Sequence, residues 1–306
     1  MEDLIMVKVL NFGSLNLDYV YNVDHFVRAG ETISSSLLNT FCGGKGLNQS
    51  IALARAGAKV YHAGAVGNDG GALVKVLEDN NVDTSLIRIV DLPTGHAIIQ
   101  RDPDGQNCIL LFGGANQSIT DSHIEAALSG FSKDDYLILQ NEINNTKSIM
   151  KRAKDKGMKI VLNPSPMDEK IHALPLELVD IFIVNEVEAE SLFGSPEPNQ
   201  IMKNFRMRFP KAAIVLTMGK MGAWYQDPSL SSPLYHGIYD VPVVDTTAAG
   251  DTFTGYFISC ISESMAIPRA LEISSMASSL AVSKEGAEPS IPAMKEVLTA
   301  NLKQKR

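Results

Sequence analysis

An α/β fold, with a mainly parallel sheet between layers of helices and a small separate sheet beside it, is what this sequence predicts. Three observations carry the prediction. Short apolar runs rich in β-branched residues alternate with helical patterns almost throughout the chain. Several of those runs are apolar at nearly every position, as strands covered on both faces are. One early region, from about Asp18 to Phe41, breaks the rhythm and contains no helical pattern.

The strands expected are residues 7–12, 60–66, 136–140, 159–162, 181–184 and 213–217. Between them the periodicity predicts helices over 47–56, 72–79, 146–156 and 186–192; Gly57, Gly157 and Gly194 supply stop signals for three of them. Strand followed by helix, repeated, calls for parallel pairing with helices on both faces. Asp102-Pro103-Asp104-Gly105 separates two further apolar runs, 97–100 and 108–112. Pro presets φ and Gly accepts a positive one, so this is a hairpin turn. With the early strands the hairpin makes a small sheet from residues 18–41 and 97–112. A few strands bury little by themselves. The expectation is therefore one domain over 1–306 whose small sheet covers an opening as a lid or pairs with a second subunit.

Composition narrows the classes. The chain has 306 residues, 45% hydrophobic and 20% charged, which suits a globular protein with a substantial core. Its formal net charge is −8, and its longest basic stretch is the terminal Lys303-Gln304-Lys305-Arg306. Nucleic acid is not the expected partner. Cys42, Cys108 and Cys260 form no C-x-x-C pair, so free thiols in a reducing cytosol are the simplest account. The acidic start Met1-Glu2-Asp3 leads into too short an apolar stretch for a signal peptide, and no apolar run is long enough to span a bilayer. A cytoplasmic protein without a membrane partner is expected.

The most informative stretch is Asp245-Thr246-Thr247-Ala248-Ala249-Gly250-Asp251-Thr252-Phe253, where an apolar helical pattern (Phe253, Phe257, Ile258, Ile261) begins. A helix start leaves backbone N–H groups without intrahelical partners and carries partial positive charge. Ala248, Ala249 and Gly250 have no bulk, so an anion can approach those amides closely. An anion site beside the Asp251 carboxylate is what phosphoryl transfer to an alcohol needs: donors for the migrating charge and a base for the hydroxyl proton. The plain alternative is an Asp in the first turn of an ordinary helix.

Other segments carry chemistry of the same kind. Gly13-Ser14-Leu15-Asn16-Leu17-Asp18 follows the first strand, where open α/β sheets bind ligands; Asn16 and Asp18 suit vicinal hydroxyls, or cap a turn. Cys42-Gly43-Gly44-Lys45-Gly46-Leu47-Asn48-Gln49 lets a ligand touch backbone at its glycines, with Lys45 and Asn48 as polar contacts. Glu142 ends another strand and reaches the same crevice or caps it. Asn163-Pro164 follows a further strand, and Asn185 with Glu188, three apart on one helix face, can hold Mg²⁺ through water or simply begin a helix. Thr217-Met218-Gly219-Lys220-Met221-Gly222 is a small-residue loop fit for nucleotide phosphates or a turn, and a polar loop spans Ser283 to Ser290. A Walker A loop, a G-x-G-x-x-G after the first strand, a zinc-ligand pattern and a G-x-S-x-G elbow are all missing from the sequence.

Taken in order, these segments resemble the ribokinase family of carbohydrate kinases, the PfkB type, over nearly the full chain. The matches are Gly13-Ser14 with Asn16 and Asp18, Gly43-Gly44-Lys45-Gly46 with Asn48-Gln49, Asn163-Pro164, Asn185 with Glu188, Thr217 to Gly222, Asp245 to Thr252, and Lys284 to Ser290. The resemblance implies a three-layer sandwich with a lid sheet that commonly joins two subunits into a homodimer. It also implies ATP-dependent phosphorylation of a sugar's terminal hydroxymethyl, with Mg²⁺ and activation by K⁺. By that resemblance Asn16, Asp18, Gly44, Lys45, Asn48 and Glu142 contact the sugar, and Asp251 is the base. The amides of Ala248, Ala249 and Gly250 form the anion hole. Thr217, Gly219, Lys220 and Gly222 line the nucleotide, while Asn185 and Glu188 serve Mg²⁺ and phosphate. Asp245, Thr247, Ala281, Lys284, Gly286 and Ser290 match a monovalent-cation loop. Ser275 stands where many relatives carry Asn or His beside the adenine, a departure that weakens a direct contact to the base.

A carboxylate is far too weak a base to strip an alcohol beforehand, so Asp251 is expected to take the proton as the O–P bond forms, in a loose transition state. Ribose, phosphorylated at its 5-hydroxyl, is the leading acceptor. Fructose, 2-keto-3-deoxygluconate or pseudouridine are the alternatives for a kinase of this architecture. A sugar sensor without chemistry would be expected to lack the acid of the Ala-Ala-Gly-Asp stretch, and a dinucleotide dehydrogenase would need the glycine fingerprint that is missing.

Overall fold

The computed structural model describes residues 7–305; the acidic start, Met1 to Met6, and Arg306 lie outside them. In chain order the strands are β1 (Lys8–Phe12), β2 (Asn16–Asn22), β3 (Leu37–Gly43), β4 (Lys59–Val66), β5 (Asp83–Ile89), β6 (Gly95–Arg101), β7 (Asn107–Phe112), β8 (Tyr136–Leu139), β9 (Lys159–Leu162), β10 (Ile181–Asn185), β11 (Ala213–Thr217), β12 (Ala223–Gln226) and β13 (Leu234–His236). The helices are α1 (Lys45–Arg55), α2 (Gly71–Asp79), α3 (Asp121–Ser129), α4 (Thr146–Asp155), α5 (Glu186–Phe193), α6 (Pro198–Arg208), α7 (Ala249–Ser262), α8 (Ile267–Val282) and α9 (Met294–Thr299).

Nine strands form the large sheet in the order β13-β12-β11-β10-β9-β8-β1-β4-β5. All neighbours from β11 to β5 pair in parallel, and only β12 and β13 run antiparallel. Successive strand residues point to opposite faces, and the core divides accordingly. Leu10, Leu137, Ile160, Phe182 and Ile214 share one apolar cluster with Ile124 of α3, Ile149 of α4, Leu192 of α5 and Phe205 of α6. Val9, Tyr136, Val161, Ile183 and Val215 share the other with Ile51 of α1, Leu73 of α2, Phe257 of α7, Leu271 of α8 and Val297 of α9. The result is three layers, helices on both faces of the sheet.

Strand β1 has β4 on one side and β8 on the other, both parallel to it. The winding therefore reverses at β1, and ligands of open α/β sheets bind in the crevice beyond the strand ends at such a point. Gly13, Gln140, Asn163 and Thr217 all stand at or just beyond strand ends on that edge.

Four strands form the second sheet, in the order β3-β2-β6-β7, with β2 and β6 parallel and the other pairs antiparallel. It roots directly in the crevice, because β2 continues from the end of β1 and β3 runs through Gly43 into α1. The predicted hairpin turn is present: Gly105 has φ of +78°, and its N–H donates to Asp102 O at 3.0 Å. Gly57, Gly157 and Gly194 end their helices at φ of +101°, +78° and +73°.

Expected strand and helix bounds of the large domain agree with the structure to within two residues. Strand β5 escaped the pattern because it is an edge strand, polar at several positions, with Ile89 70% exposed. The small sheet also begins earlier and ends later than expected, taking in Asn16, Gly43 and Gly95. Among the described residues no helix is long and apolar enough to cross a membrane.

Candidate active site

Helix α7 starts at the crevice. Among the described residues, the backbone N–H groups of Ala248, Gly250 and Asp251 have no acceptor. The Ala249 N–H differs from expectation: it closes a turn onto Thr246 O at 3.2 Å, so the free donors come from its neighbours. A Cβ added at Gly250 would meet nothing within 4 Å, so space stands open before this helix start. The Asp251 carboxylate, 5% exposed, turns inward. Its Oδ1 accepts from Gln49 Nε2 at 2.9 Å and its Oδ2 from Asn48 Nδ2 at 3.1 Å. Anion donors and an ionisable oxygen thus stand together.

Two cavities meet here. One, of about 210 Å³, is lined by Lys45, Asn163, Asn185, Glu188, Gly250 and Asp251 among others. The second, of about 390 Å³, is lined by Gly219, Gly222, Ala249, Phe253, Ser275 and Ser279 among others. Asn185, Thr217, Thr246 and Gly250 belong to both walls, so the junction lies at the start of α7.

The glycine cluster brings the early residues to the same place. Gly44 has φ of +98°, and a Cβ there would sit 3.0 Å from Ser14 O, so the chain passes closely over the end of β1. A Cβ on Gly43 would lie 2.0 Å from Asp18 Oδ2: the carboxylate occupies the place a side chain would take. Burial, with the Glu142 carboxylate adding to it, pushes the Asp18 carboxyl up to about 7. Glu142 accepts from the Ser14 hydroxyl and from the Lys45 N–H, the latter at 3.0 Å. Burial raises Glu142 above the ordinary carboxylate value, and those donors only partly offset it. Burial works against the Lys45 ammonium, but Asp251, Glu142 and Glu188 outweigh it and hold Lys45 above its usual value. Asn16 Oδ1 accepts from Asn116 Nδ2 at 2.8 Å, and Asn16, Asn116 and Glu142 line a smaller cavity of about 150 Å³.

Asn185 and Glu188 sit in a reciprocal cap at the start of α5. Glu188 accepts from the Asn185 N–H and Nδ2, both at 3.0 Å, and returns its own N–H to Asn185 Oδ1 at 2.9 Å. Burial raises the Glu188 carboxyl. The cap and the cavity wall are thus the same pair of residues. No cluster of three or more His, Cys, Asp or Glu side chains suited to a metal exists among the described residues.

Of the residues expected at a nucleotide, Thr217, Gly219, Gly222 and Ser275 line the larger cavity, whereas Lys220 is exposed on its turn and lines neither. Gly222 has φ of +91°, and a Cβ there would lie 2.3 Å from His236 O. Behind α7, the Asp245 carboxylate accepts the N–H groups of Thr247 at 2.9 Å and Gly286 at 3.1 Å, folding the 283–290 loop against it. These donors hold Asp245 below the ordinary carboxylate value although burial opposes them. Two of the residues expected there are engaged locally. Lys284 Nζ bonds Glu296 at 2.6 Å, and the Ser290 hydroxyl donates to Ala287 O at 2.7 Å. The Ala281 carbonyl accepts the Lys284 N–H at 3.1 Å, so the loop continues directly from α8.

Sequence reasoning left several neighbours of Asp251 unassigned. Gln49, Gln140 and Asn11 are 0%, 1% and 0% exposed and hydrogen-bonded to one another beneath it. For Asn11 and Gln140 the available signal was an amide in or at the end of an otherwise apolar strand run; Gln49, in helix α1, had none beyond its glycine-rich motif. Asn116, which also accepts the Leu15 N–H at 3.0 Å, had no local signal.

A cavity flanked by the Asp251 and Glu188 carboxylates meets a second cavity at a helix start, which is the arrangement phosphoryl transfer to an alcohol needs. The chain belongs to the pfkB family of carbohydrate kinases, whose family model matches residues 6–294. The ribokinase of Staphylococcus aureus (strain COL) is 36% identical over 302 residues, covering 95% of this chain and 98% of the relative. The structure of Arabidopsis thaliana ribokinase complexed with ribose and ATP superposes with a TM-score of 0.85 at 29% identity, covering 96% of this chain and 98% of the other. That of Cryptococcus neoformans var. grubii serotype A ribokinase with ADP gives a TM-score of 0.81 at 33% identity, over 95% and 99% of the chains.

Proposed function

We propose that this protein transfers the terminal phosphoryl group of ATP to the 5-hydroxyl of D-ribose, giving ribose 5-phosphate and ADP. The observation that carries this is the buried Asp251 carboxylate beside the acceptor-free amides of Ala248 and Gly250, where the two cavities meet. Ribose is assigned to Asn16, Asp18, Gly44, Lys45, Asn48 and Glu142, of which Lys45 lines the cavity at Asp251 and Asn16 and Glu142 line the smaller one; their carboxylates and amides suit hydroxyl groups. The nucleotide fits the larger cavity, with its base toward Ser275 and its phosphates toward Gly250. Relatives at this similarity bear the name ribokinase, and the Arabidopsis one was determined with ribose and ATP.

Asp251 accepts the hydroxyl proton as the O–P bond forms, because a carboxylate cannot remove it earlier. The helix-start amides stabilise charge gathering on the migrating group's oxygens. Lys45, held protonated by surrounding carboxylates, adds positive charge on the sugar side. Mg²⁺, when bound, neutralises phosphate charge, and Asn185 and Glu188 would hold it through water. The loop of Asp245, Thr247, Ala281, Lys284, Gly286 and Ser290 would hold K⁺, mostly through carbonyls, behind the same helix start. The small sheet acts as the lid over the sugar. Its exposed Leu37, Leu38, Ile98, Ile109 and Leu110 fit a second copy of the chain, a homodimer that sedimentation would reveal. The free thiols fit a reducing cytoplasm.

ADP release measured over a panel of sugars and nucleosides, with Mg²⁺ and K⁺ present, tests the reading. Ribose is expected to give the highest kcat/KM. No turnover on ribose, with brisk turnover on fructose, a ketodeoxy acid or a nucleoside, would replace it.

A further inference from the structure

Resting on the kinase reading above, we propose that Gln49 is the positioning residue of Asp251, and that a buried chain of amides fixes which end of Gln49 the carboxylate meets. The chain is anchored on backbone at both ends. At one end Asn11 Nδ2 donates to Gly46 O at 2.8 Å and to Ser50 Oγ at 2.9 Å. A backbone carbonyl only accepts, so the Asn11 oxygen must face the other way. It receives Gln140 Nε2 at 2.9 Å, and the same nitrogen donates to Gln49 Oε1 at 2.7 Å. Gln49 is therefore left with its NH₂ toward the cavity. From the opposite end, Asn163 Nδ2 donates to Ile183 O at 3.0 Å, which turns the Asn163 oxygen toward Gln49. Gln49 Nε2 serves that oxygen at 3.0 Å and Asp251 Oδ1 at 2.9 Å.

Both anchors impose the same polarity. Turning any one amide over would set oxygen against oxygen. The arrangement leaves the buried Gln140 Oε1 without a partner among the described residues, an imperfection that an ordinary packed core avoids. What the polarity achieves is at Asp251: an N–H meets each carboxylate oxygen, one from Gln49 and one from Asn48, which fixes how the carboxylate is turned where it lines the cavity. A Gln49 presenting its oxygen would repel the carboxylate.

Two variants test this. Gln49→Met keeps the length and removes the donor; kcat is expected to fall about tenfold or more, with both KM values within about threefold. Gln49→Glu is isosteric and puts a second carboxyl against Asp251. The two share one proton, and activity is lost as pH rises and that proton leaves, over a range where the wild type keeps its rate. If Gln49→Met fails to fold, the pH–rate profile of Gln49→Glu decides alone. Variants with wild-type kcat and superimposable pH profiles, in an enzyme whose wild type phosphorylates ribose, would overturn the role of Gln49. A wild type that phosphorylates no acceptor would instead count against the kinase reading.

Discussion

Asn48 donates its side-chain amide to Asp251 at 3.1 Å, across 203 residues of chain. The contact joins the glycine-rich start of α1 to the start of α7, two buried helices packed together: Gly255 of α7 lies so close to α1 that a Cβ there would come within 2.4 Å of the Ala52 Cβ. Asn48, expected by resemblance to touch sugar, is found instead bonded to the Asp251 carboxylate. The Asn48 oxygen is buried and has no partner among the described residues.

Replacing Asp251 by Asn is isosteric but removes the proton acceptor and sets an NH₂ against the Gln49 or Asn48 amide. Turnover is expected to fall by about two or more powers of ten while ribose and nucleotide binding persist. Steady-state kinetics with calorimetric titration separate the two, and near-normal kcat in D251N refutes the assignment.

Gly43→Ala places a methyl where the Asp18 carboxylate lies, 2.0 Å from its oxygen. The carboxylate must swing aside. The KM for ribose is expected to rise about tenfold, or ~1.4 kcal/mol, with the KM for ATP unaltered. An unchanged ribose KM would mean that Asp18 does not hold the sugar.

Asp18 also sets a pH dependence. Its folded value of about 7 lies above the unfolded 3.8, so between those limits the folded chain binds the extra proton. Its contribution to stability is therefore complete below about 3.8 and is lost as pH rises through about 7. Thermal melting of the sugar-free protein between pH 6 and 8 should show a decline that Asp18→Asn removes. Sugar hydroxyls donate best to the ionised form, so the ribose KM is expected to fall over the same interval.

Exchanging K⁺ for Na⁺ is expected to reduce turnover several-fold, since the larger, more weakly hydrated ion suits a carbonyl-rich loop. Asp245→Ala releases the Thr247 and Gly286 amides and should abolish the difference between the ions. Equal rates in both salts for the wild type would remove the cation loop from the account.

Phe182 packs against Phe193, Phe205 and Phe209 with ring centroids 6.5, 5.7 and 4.8 Å away, and it is fully buried. Phe182→Ala should cost about 3–5 kcal/mol in urea unfolding. A smaller loss would indicate that the cluster relaxes around the vacancy.

The successions β8, α4, β9 and β10, α5, β11 were legible because periodicity is a short-range property, and near-continuous apolar runs mark strands covered on both faces. So was the start of α7, where small residues, an acid and an apolar stripe are adjacent in the chain. Tertiary structure alone decided what those residues meet. The parallel pairing of β2 with β6 depends on how the chain crosses over. Asp18 is raised because folding sets it beside Glu142 away from water. The polarity of Gln49 follows from two backbone carbonyls, Gly46 O and Ile183 O, relayed through Asn11, Gln140 and Asn163, which are distant from it in sequence. Local pattern settles which groups a segment can offer; hydrogen-bond direction and desolvation are settled by neighbours that only the packed chain supplies.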